Sequence, residues 1–304
     1  MGTTYHITYF DEQRRGFKNQ IDSLLLVVNQ SINNYDSSSE ISRFNGSASS
    51  FKFELPYFYP PLKKSLEVFS ASQGAFDPTV MPLVNAWGFG ADKALNMDSA
   101  KVDSLKKLVG FEKILLTKDS VLKLNPKTQI DFGGIGQGYG ADVITDFLRS
   151  KGIANMLVEL GGEGVARGIN LQTGRPWEIG ILDPDSDYAN QFFKATVKLQ
   201  DRSFTTSGNY FNYREINGKK YSHTIDPQTG FPVQRSLLSA SVFSKDAITA
   251  DAWATALMVM GHEKAIEMLK SHPELEAFLI YTNADGKEDT YVTSGIAPSL
   301  AFTP

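Results

Sequence analysis

Cysteine is missing from all 304 residues, which excludes disulfides, Cys-ligated zinc and a thiol nucleophile. Long apolar runs are missing too, and none approaches the roughly 20 residues that span a bilayer. An excess of one charge is also lacking. Thirty Lys and Arg stand against 34 Asp and Glu, interspersed, for a net charge of −4. No basic stripe suited to nucleic acid results. Histidine is scarce, with four in the chain. No repeat, low-complexity tract or linker-like stretch interrupts the sequence. No targeting segment is visible at its start, where residues 4–10 read directly as a strand. What is present has the apolar and charged fractions of an ordinary globular protein, long enough to bury a large core.

The periodicities alternate between helix and strand. Residues 17–34 carry Ile21, Leu24, Leu25, Val28 and Ile32 at helical spacing. The polar, turn-rich stretch 33–45 follows, with Ile41 and Phe44 as its apolar anchors. A second helix is predicted over 61–73, with Pro61 near its start and Gly74 just past its end. Residues 105–109 close a third, before short strands near 111–116 and 120–125. Helix 138–151 stops at Gly152. Strands are then expected at 155–160, 176–182 and 193–199, followed by a hairpin turning at Asn217-Gly218. A strand at 237–243, helices across 248–271 and a last hairpin turning at 283–286 complete the pattern. The expected class is α+β, in one continuous domain covering 1–304.

Four segments carry candidate chemistry. Asp-Ala-Ile-Thr-Ala-Asp-Ala-Trp-Ala-Thr (246–255), read as a helix, stacks Asp251 and Thr255 on one face, and their oxygens suit a hard cation such as Mg²⁺. The alternative is a helix cap and a solvated face. Gln-Ile-Asp-Phe-Gly-Gly-Ile-Gly-Gln-Gly-Tyr-Gly-Ala-Asp (129–142) places glycines between a predicted strand end and a helix start, where free N–H groups favour an anion. Its spacing is neither the dinucleotide fingerprint nor a P-loop, so a dehydrogenase fits poorly. The alternative is a bend needed for packing. Asp131 there either meets a ring edge or caps the glycine turn. Glu159-Leu160-Gly161-Gly162-Glu163-Gly164 follows an apolar strand similarly, and two such loops suggest a ligand with more than one phosphate. Glu163 would repel that ligand unless a metal or base intervenes. Finally, His223 sits in Tyr221-Ser222-His223-Thr224-Ile225-Asp226-Pro227-Gln228-Thr229-Gly230, read as a strand leading into a turn. It is either a proton-exchanging group or a half-buried His bonded to a carbonyl. The segment 205–209 reads as a polar turn with hydroxyl donors. His6, His262 and His272 read as surface residues.

Taken in order, further motifs join these. They are Met1-Gly2-Thr3-Thr4-Tyr5, Tyr35-Asp36 with 39–45, Gly74-Ala75-Phe76-Asp77-Pro78-Thr79-Val80, Pro82-Leu83-Val84-Asn85 and Trp87-Gly88-Phe89-Gly90. With 131–142, Gly161-Gly162, Ser207-Gly208, 222–227 and the Asp251/Thr255 helix, the series resembles the ApbE family, the FAD:protein FMN transferases. The resemblance runs from Met1 to about residue 282.

It implies a T-fold-like α+β architecture with FAD in a cleft between two halves. It implies Mg²⁺ on the pyrophosphate of FAD, transfer of FMN to a Thr hydroxyl of an acceptor protein, and release of AMP. By the same resemblance Asp251 and Thr255 match metal ligands, with backbone help from Gly134 and Ala254. Met1, Tyr35, Ala75, Phe76, Asp77, Asp131, Gln137 and Ile225 match positions around the flavin and adenine, joined by Gly161, Gly162 and Ser207. His223 matches the catalytic His. The acceptor would display a Ser/Thr-Gly-Ala-Thr-like segment. Such proteins in Gram-negative bacteria are typically exported to the periplasm or cell envelope and lipid-anchored, although this chain shows neither a signal nor a lipid-bearing Cys.

Two residues depart from the expected pattern, Gln137 in place of Lys and Glu163 in place of Asp. Losing a positive charge beside the pyrophosphate predicts slower turnover or greater reliance on the metal. Two alternatives remain open at this level: an FAD pyrophosphatase giving FMN and AMP, and a non-catalytic flavin-binding or carrier protein.

Overall fold

The computed structural model describes residues 2–303 apart from 92, 187–189, 210–212, 217 and 218, with backbone alone at 213–216 and 219–221. Met1 and the Asn217-Gly218 turn lie outside the described residues. The chain opens with β1 (Tyr5–Tyr9), α1 (Lys18–Ile32), α2 (Glu40–Gly46), β2 (Ser50–Lys52) and α3 (Tyr59–Ala71). Next come α4 (Met81–Trp87), α5 (Ser99–Lys106), β3 (Ile114–Leu116), β4 (Ser120–Lys123) and α6 (Gly136–Ser150). A run of strands follows: β5 (Met156–Leu160), β6 (Glu163–Arg167), β7 (Trp177–Leu182), β8 (Phe193–Leu199) and β9 (Arg202–Gly208). After β10 (Tyr213–Ile216), β11 (Lys219–Ser222) and β12 (Leu237–Ser244) come α7 (Ala247–Met260) and α8 (His262–Ser271). The described chain ends with β13 (Glu276–Thr282), β14 (Glu288–Val292) and β15 (Leu300–Phe302).

The elements form two compact units. The first holds Asn19–Gly136 and Arg214–Gln234; the second holds Gly2–Lys18, Gln137–Tyr213 and Arg235–Pro304. The first unit is built around aromatic rings. Phe58, fully buried, meets Phe44, Phe51, Phe53 and Phe132 at centroid distances of 5.4 to 6.0 Å. Beside them the small sheet β2-β4-β3 presents Lys123, whose ammonium lies 4.6 Å from the Phe44 ring centre and donates to the carbonyls of Asn45 and Ser47, both at 3.0 Å. Burial lowers its pKa to about 8, because the charged form loses water that two carbonyls only partly replace.

In the second unit an antiparallel sheet runs β1-β5-β6-β9-β12-β13-β14. Side chains alternate between its faces. Phe204 and Phe243 are register partners, and with Phe278 they join a core shared with Trp177 and Val197 of the three-stranded sheet β15-β8-β7. The residues between them belong to the face against which α7 packs. That helix is apolar around nearly its whole circumference and buried at all but Thr249, Thr255 and Met260, which are half-buried, as a helix with almost no solvent face must be.

The structure corrects several sequence expectations. α2 occupies the stretch read as turn-rich. Its seven residues are too few for a periodic signal, yet Ser39 caps it through Ser42 N–H, and buried Glu40 accepts from Ser31 Oγ at 2.6 Å and from two backbone amides, Glu54 and Leu55. The helix expected to end at 105–109 closes at Lys106. No strand precedes the glycines of 129–142. Ile130 exchanges both its backbone hydrogen bonds with the Asn45 amide (2.7 and 2.8 Å), so a side chain stands in for a neighbouring strand. The stretch 205–209, read as a turn, is mostly inside β9.

Deleting the ring at the centre of the aromatic cluster leaves a cavity that its fixed neighbours cannot fill. Phe58→Ala is expected to cost about 3–5 kcal/mol of stability. Urea denaturation of the two proteins side by side checks this.

Candidate active site

The site in the second unit is organised by two helices that close each other's N-termini. The first N–H groups of an α-helix have no partner within it. For α7 they are taken by Asp246, which accepts from Thr249 N–H at 2.9 Å, and by Asp142 of α6, which accepts from Ala247 at 2.9 Å and Ile248 at 2.8 Å. In return Asp251 of α7 accepts the Gly138 amide of α6 at 2.9 Å and bonds the Gln137 amide as well. Gly138 is required by this close approach. A Cβ there would collide with the Ala247 carbonyl and come within 2.8 Å of Asp251 Cβ. Asp246 is therefore a cap, whereas Asp251 is an interior helix residue only 4% exposed. Burial raises the carboxyl pKa of both Asp142 and Asp251 to about 7, against the opposite pull of the amides that each accepts.

One turn beyond Asp251, Thr255 is half-buried on α7. Ala254, fully buried, lies in the helix interior, where its carbonyl is committed to the helical ladder. Glu163 opens β6 and is 8% exposed, with its Oε2 buried and without a hydrogen-bond partner. Burial and then the nearby Asp251 raise its carboxyl pKa well above the ordinary range. Among the described residues no basic side chain pairs with either acid. Two carboxylates buried together without a counter-charge, one with an unpartnered oxygen, fit a hard divalent cation.

Gly161-Gly162 differs from what its sequence suggests. It is the two-residue turn of the β5–β6 hairpin, with Leu160 opposite Glu163 and positive φ of 74° and 109°. Its amides are already engaged, Gly161 by the Thr4 carbonyl at 3.1 Å and Gly162 by Glu159 Oε1 at 2.6 Å. A strand, not a helix, follows, so the pair offers no free N–H groups to cradle a phosphate, contrary to the sequence expectation. The Gln137 side chain lies against Gly161, and half-buried Ser207 sits in β9 opposite Ala240.

In the first unit, Asp131 both caps the glycine turn, accepting Gly133 N–H at 2.8 Å, and takes the Asn34 amide at 2.6 Å. Burial raises its pKa. Asn34 keeps a buried, unpartnered Oδ1, and the sequence reading missed it because a lone Asn in a turn-rich stretch carries no pattern. Tyr35 beside it is 73% exposed, its hydroxyl donating to the Phe89 carbonyl at 3.2 Å. Ala75, Phe76 and Asp77 are buried. Phe76 is core rather than a free stacking surface. The Asp77 carboxylate is taken by Thr79, N–H at 2.8 Å and hydroxyl at 2.6 Å, and burial raises it to about 6. Gly134 lies in the turn before α6.

His223 is exposed and just past the end of β11, not inside a strand and not half-buried as the bland alternative required. The turn after it is fixed by Asp226, whose Oδ1 accepts Gln228 N–H at 2.8 Å, and by Gly230, whose carbonyl takes Trp87 Nε1–H at 2.9 Å. Ile225 is core, packed with Leu83 and Trp87. Of the remaining histidines, His6 is exposed and pairs with Glu159, as a surface residue does. His262 and His272 are instead half-buried and engaged, the first stacked 4.3 Å from Tyr281 and bonded to Ser236, the second beside Trp253 and bonded to Glu274.

Comparison with known proteins agrees over nearly the whole chain. Residues 1–279 match the ApbE family. An FAD:protein FMN transferase of Vibrio cholerae is 34% identical across 99% of this chain and 91% of its own length, and one of Escherichia coli K12 is 35% identical across 89% and 79%. Among solved structures, the flavin transferase ApbE from Vibrio cholerae superposes with a TM-score of 0.88 at 33% identity, covering 98% of this chain and 96% of that one. The ApbE protein of Thermotoga maritima gives 0.83 at 25% identity, covering 98% and 96%.

Asp142 and Asp251 hold protons up to about pH 7 in the fold, against an ordinary carboxyl value of 3.8 in the unfolded chain. Folding therefore takes up protons between these limits. Without divalent cations, stability is expected to rise as pH falls from about 7 toward 4 and to be lost on returning upward. Denaturation midpoints measured in EDTA across this range check the sign, and Asp251→Asn should flatten the slope.

Proposed function

We propose, from the premise that this chain belongs to the ApbE family and is an FAD:protein FMN transferase, that it moves FMN from FAD to a Thr hydroxyl of an acceptor protein in a Mg²⁺-dependent reaction that releases AMP. The observation that carries the metal requirement is Asp251: a buried carboxylate one helical turn from Thr255 and beside a second uncompensated acid. Asp251 and Thr255, with the Gly134 carbonyl, would hold the cation; Ala254 contributes less, since its carbonyl already serves the helix. When bound, Mg²⁺ supplies charge neutralisation for the pyrophosphate oxygens.

The chain's own groups do the rest. Gln137 donates a hydrogen bond where a Lys would have supplied charge. Tyr35 and Asp131, with the backbone of Ala75, Phe76, Asp77 and Ile225, serve the flavin and adenine, and Gly161, Gly162 and Ser207 border the ligand. The architecture is T-fold-like, as the family resemblance implies, and 1–304 acts as one ApbE-like domain. Met1 belongs to this group by the resemblance. His223, exposed on an anchored turn, takes the proton that the acceptor Thr loses during attack. The acceptor presents a Ser/Thr-Gly-Ala-Thr-like segment, and the reaction belongs to the periplasm or cell envelope, with lipid anchoring in the full-length protein. No described helix is long and apolar enough to cross a membrane.

The exposure of His223 supports one further reading. With water in the acceptor's place, the same groups would hydrolyse FAD to FMN and AMP.

Incubating the protein with FAD and Mg²⁺, with and without such an acceptor, while following AMP, FMN and acceptor mass, separates these readings. Acceptor gaining FMN with stoichiometric AMP is expected. Free FMN and AMP with unmodified acceptor would instead establish the hydrolase, and intact bound FAD would establish a carrier. EDTA or Asp251→Ala should abolish turnover. His223→Ala should slow transfer by roughly 10²- to 10⁴-fold. Restoring the charge with Gln137→Lys should raise kcat, on the order of tenfold; an unchanged kcat would remove the significance attached to Gln137.

A further inference from the structure

We propose that Glu163 and Thr205 are part of the cation site of Asp251, Glu163 as a second carboxylate that holds the divalent ion and Thr205 as the hydroxyl beside it. The inference rests on the reading of Asp251 and Thr255 above. Its basis is the register of the large sheet. β6 pairs with β9 so that Gly164 faces Phe204 and Val165 faces Ser203. One step further along the same register sets Glu163 opposite Thr205, and directly opposed residues share a face. Phe204 belongs to the core on the other side, so Glu163 and Thr205 are on the side covered by α7, the helix that carries Asp251.

Both side chains are nearly sealed from water, Glu163 at 8% exposure and Thr205 at 1%. Both also hold an unsatisfied oxygen, Glu163 Oε2 and Thr205 Oγ1. Unpartnered buried polar atoms are uncommon and costly, and two such atoms on neighbouring strands mark a place where an absent group completes the bonding. Both are hard oxygen donors, as are Asp251 and Thr255, so the group is a hard cation rather than an anion. The Glu in the β5–β6 hairpin is thereby accounted for: it is not a carboxylate repelling a phosphate but one that helps hold the ion to which the phosphate binds.

The test is Mn²⁺ titration of the full chain without FAD, reading free Mn²⁺ by electron paramagnetic resonance. The wild-type chain should bind, and Asp251→Asn should lose binding. Glu163→Gln, nearly isosteric, should weaken Mn²⁺ affinity by roughly tenfold or more, and Thr205→Val by several-fold. Glu163→Asp, which keeps the charge, should recover part of the loss. Glu163→Gln affinity within twofold of wild type, with Asp251→Asn still defective, would overturn this proposal alone. Asp251→Asn binding like wild type, or no wild-type binding, would overturn the Asp251 reading and this one with it. Should Glu163→Gln fail to fold, Thr205→Val removes only a hydroxyl, and its affinity decides the question.

Discussion

The second unit depends on a carboxylate from one helix closing the N-terminus of another. Asp251 accepts the amides at the start of α6, and Asp142 accepts those at the start of α7, so neither helix can shift without exposing the orphan donors of its partner. The exchange demands that the two backbones approach closely at Gly138, which is why a side chain cannot be accommodated there. The same exchange places an acid where water cannot reach it, which conflicts with its charge. Amide donors and the helix dipole favour the anion, but burial opposes it more strongly, and the carboxyl ends near neutrality.

The two units handle buried polarity differently. In the first, every acid around the expected ligand positions is already engaged: Asp77 by Thr79, Asp131 by Asn34 and Gly133, Glu40 by Ser31 and two amides. These contacts fix loops that have no sheet ladder to hold them, as the Asn45–Ile130 exchange also does. In the second unit the acids at the centre are under-satisfied, and Glu163 and Thr205 keep unpartnered oxygens. Polar groups that bond one another hold loops in place, whereas buried oxygens left without partners carry a desolvation cost that the rest of the fold must offset.

Much of the fold was legible from periodicity alone. α1, α3, α6 and most strands of the second unit fall within a few residues of their expected places, because each buries one regular apolar face. What escaped was short or held by side chains. α2 is set by the Ser39 cap and the buried Glu40, and the segment before α6 imitates a strand only through Asn45. The Gly161-Gly162 pair was legible as a glycine loop after a strand but not as a hairpin turn, since the strand after it, Glu163–Arg167, holds a Gly and two charged residues among its five.

By itself the sequence determined the residue chemistry: no thiol, a histidine beside an Asp-Pro-x-Thr-Gly turn, and an Asp and a Thr at the spacing of one helical turn. It also determined the order of motifs that identifies the family. It could not determine which carboxylates would be capped, paired or left wanting, because that depends on atoms brought together from distant parts of the chain. Asp142 and Asp251 become mutual helix caps only when α6 meets α7, and Glu163 and Thr205 are left with unpartnered buried oxygens only once β6 and β9 pair in the sheet. Burial and hydrogen bonding set the charge state of an acid, and both are properties of the assembled fold.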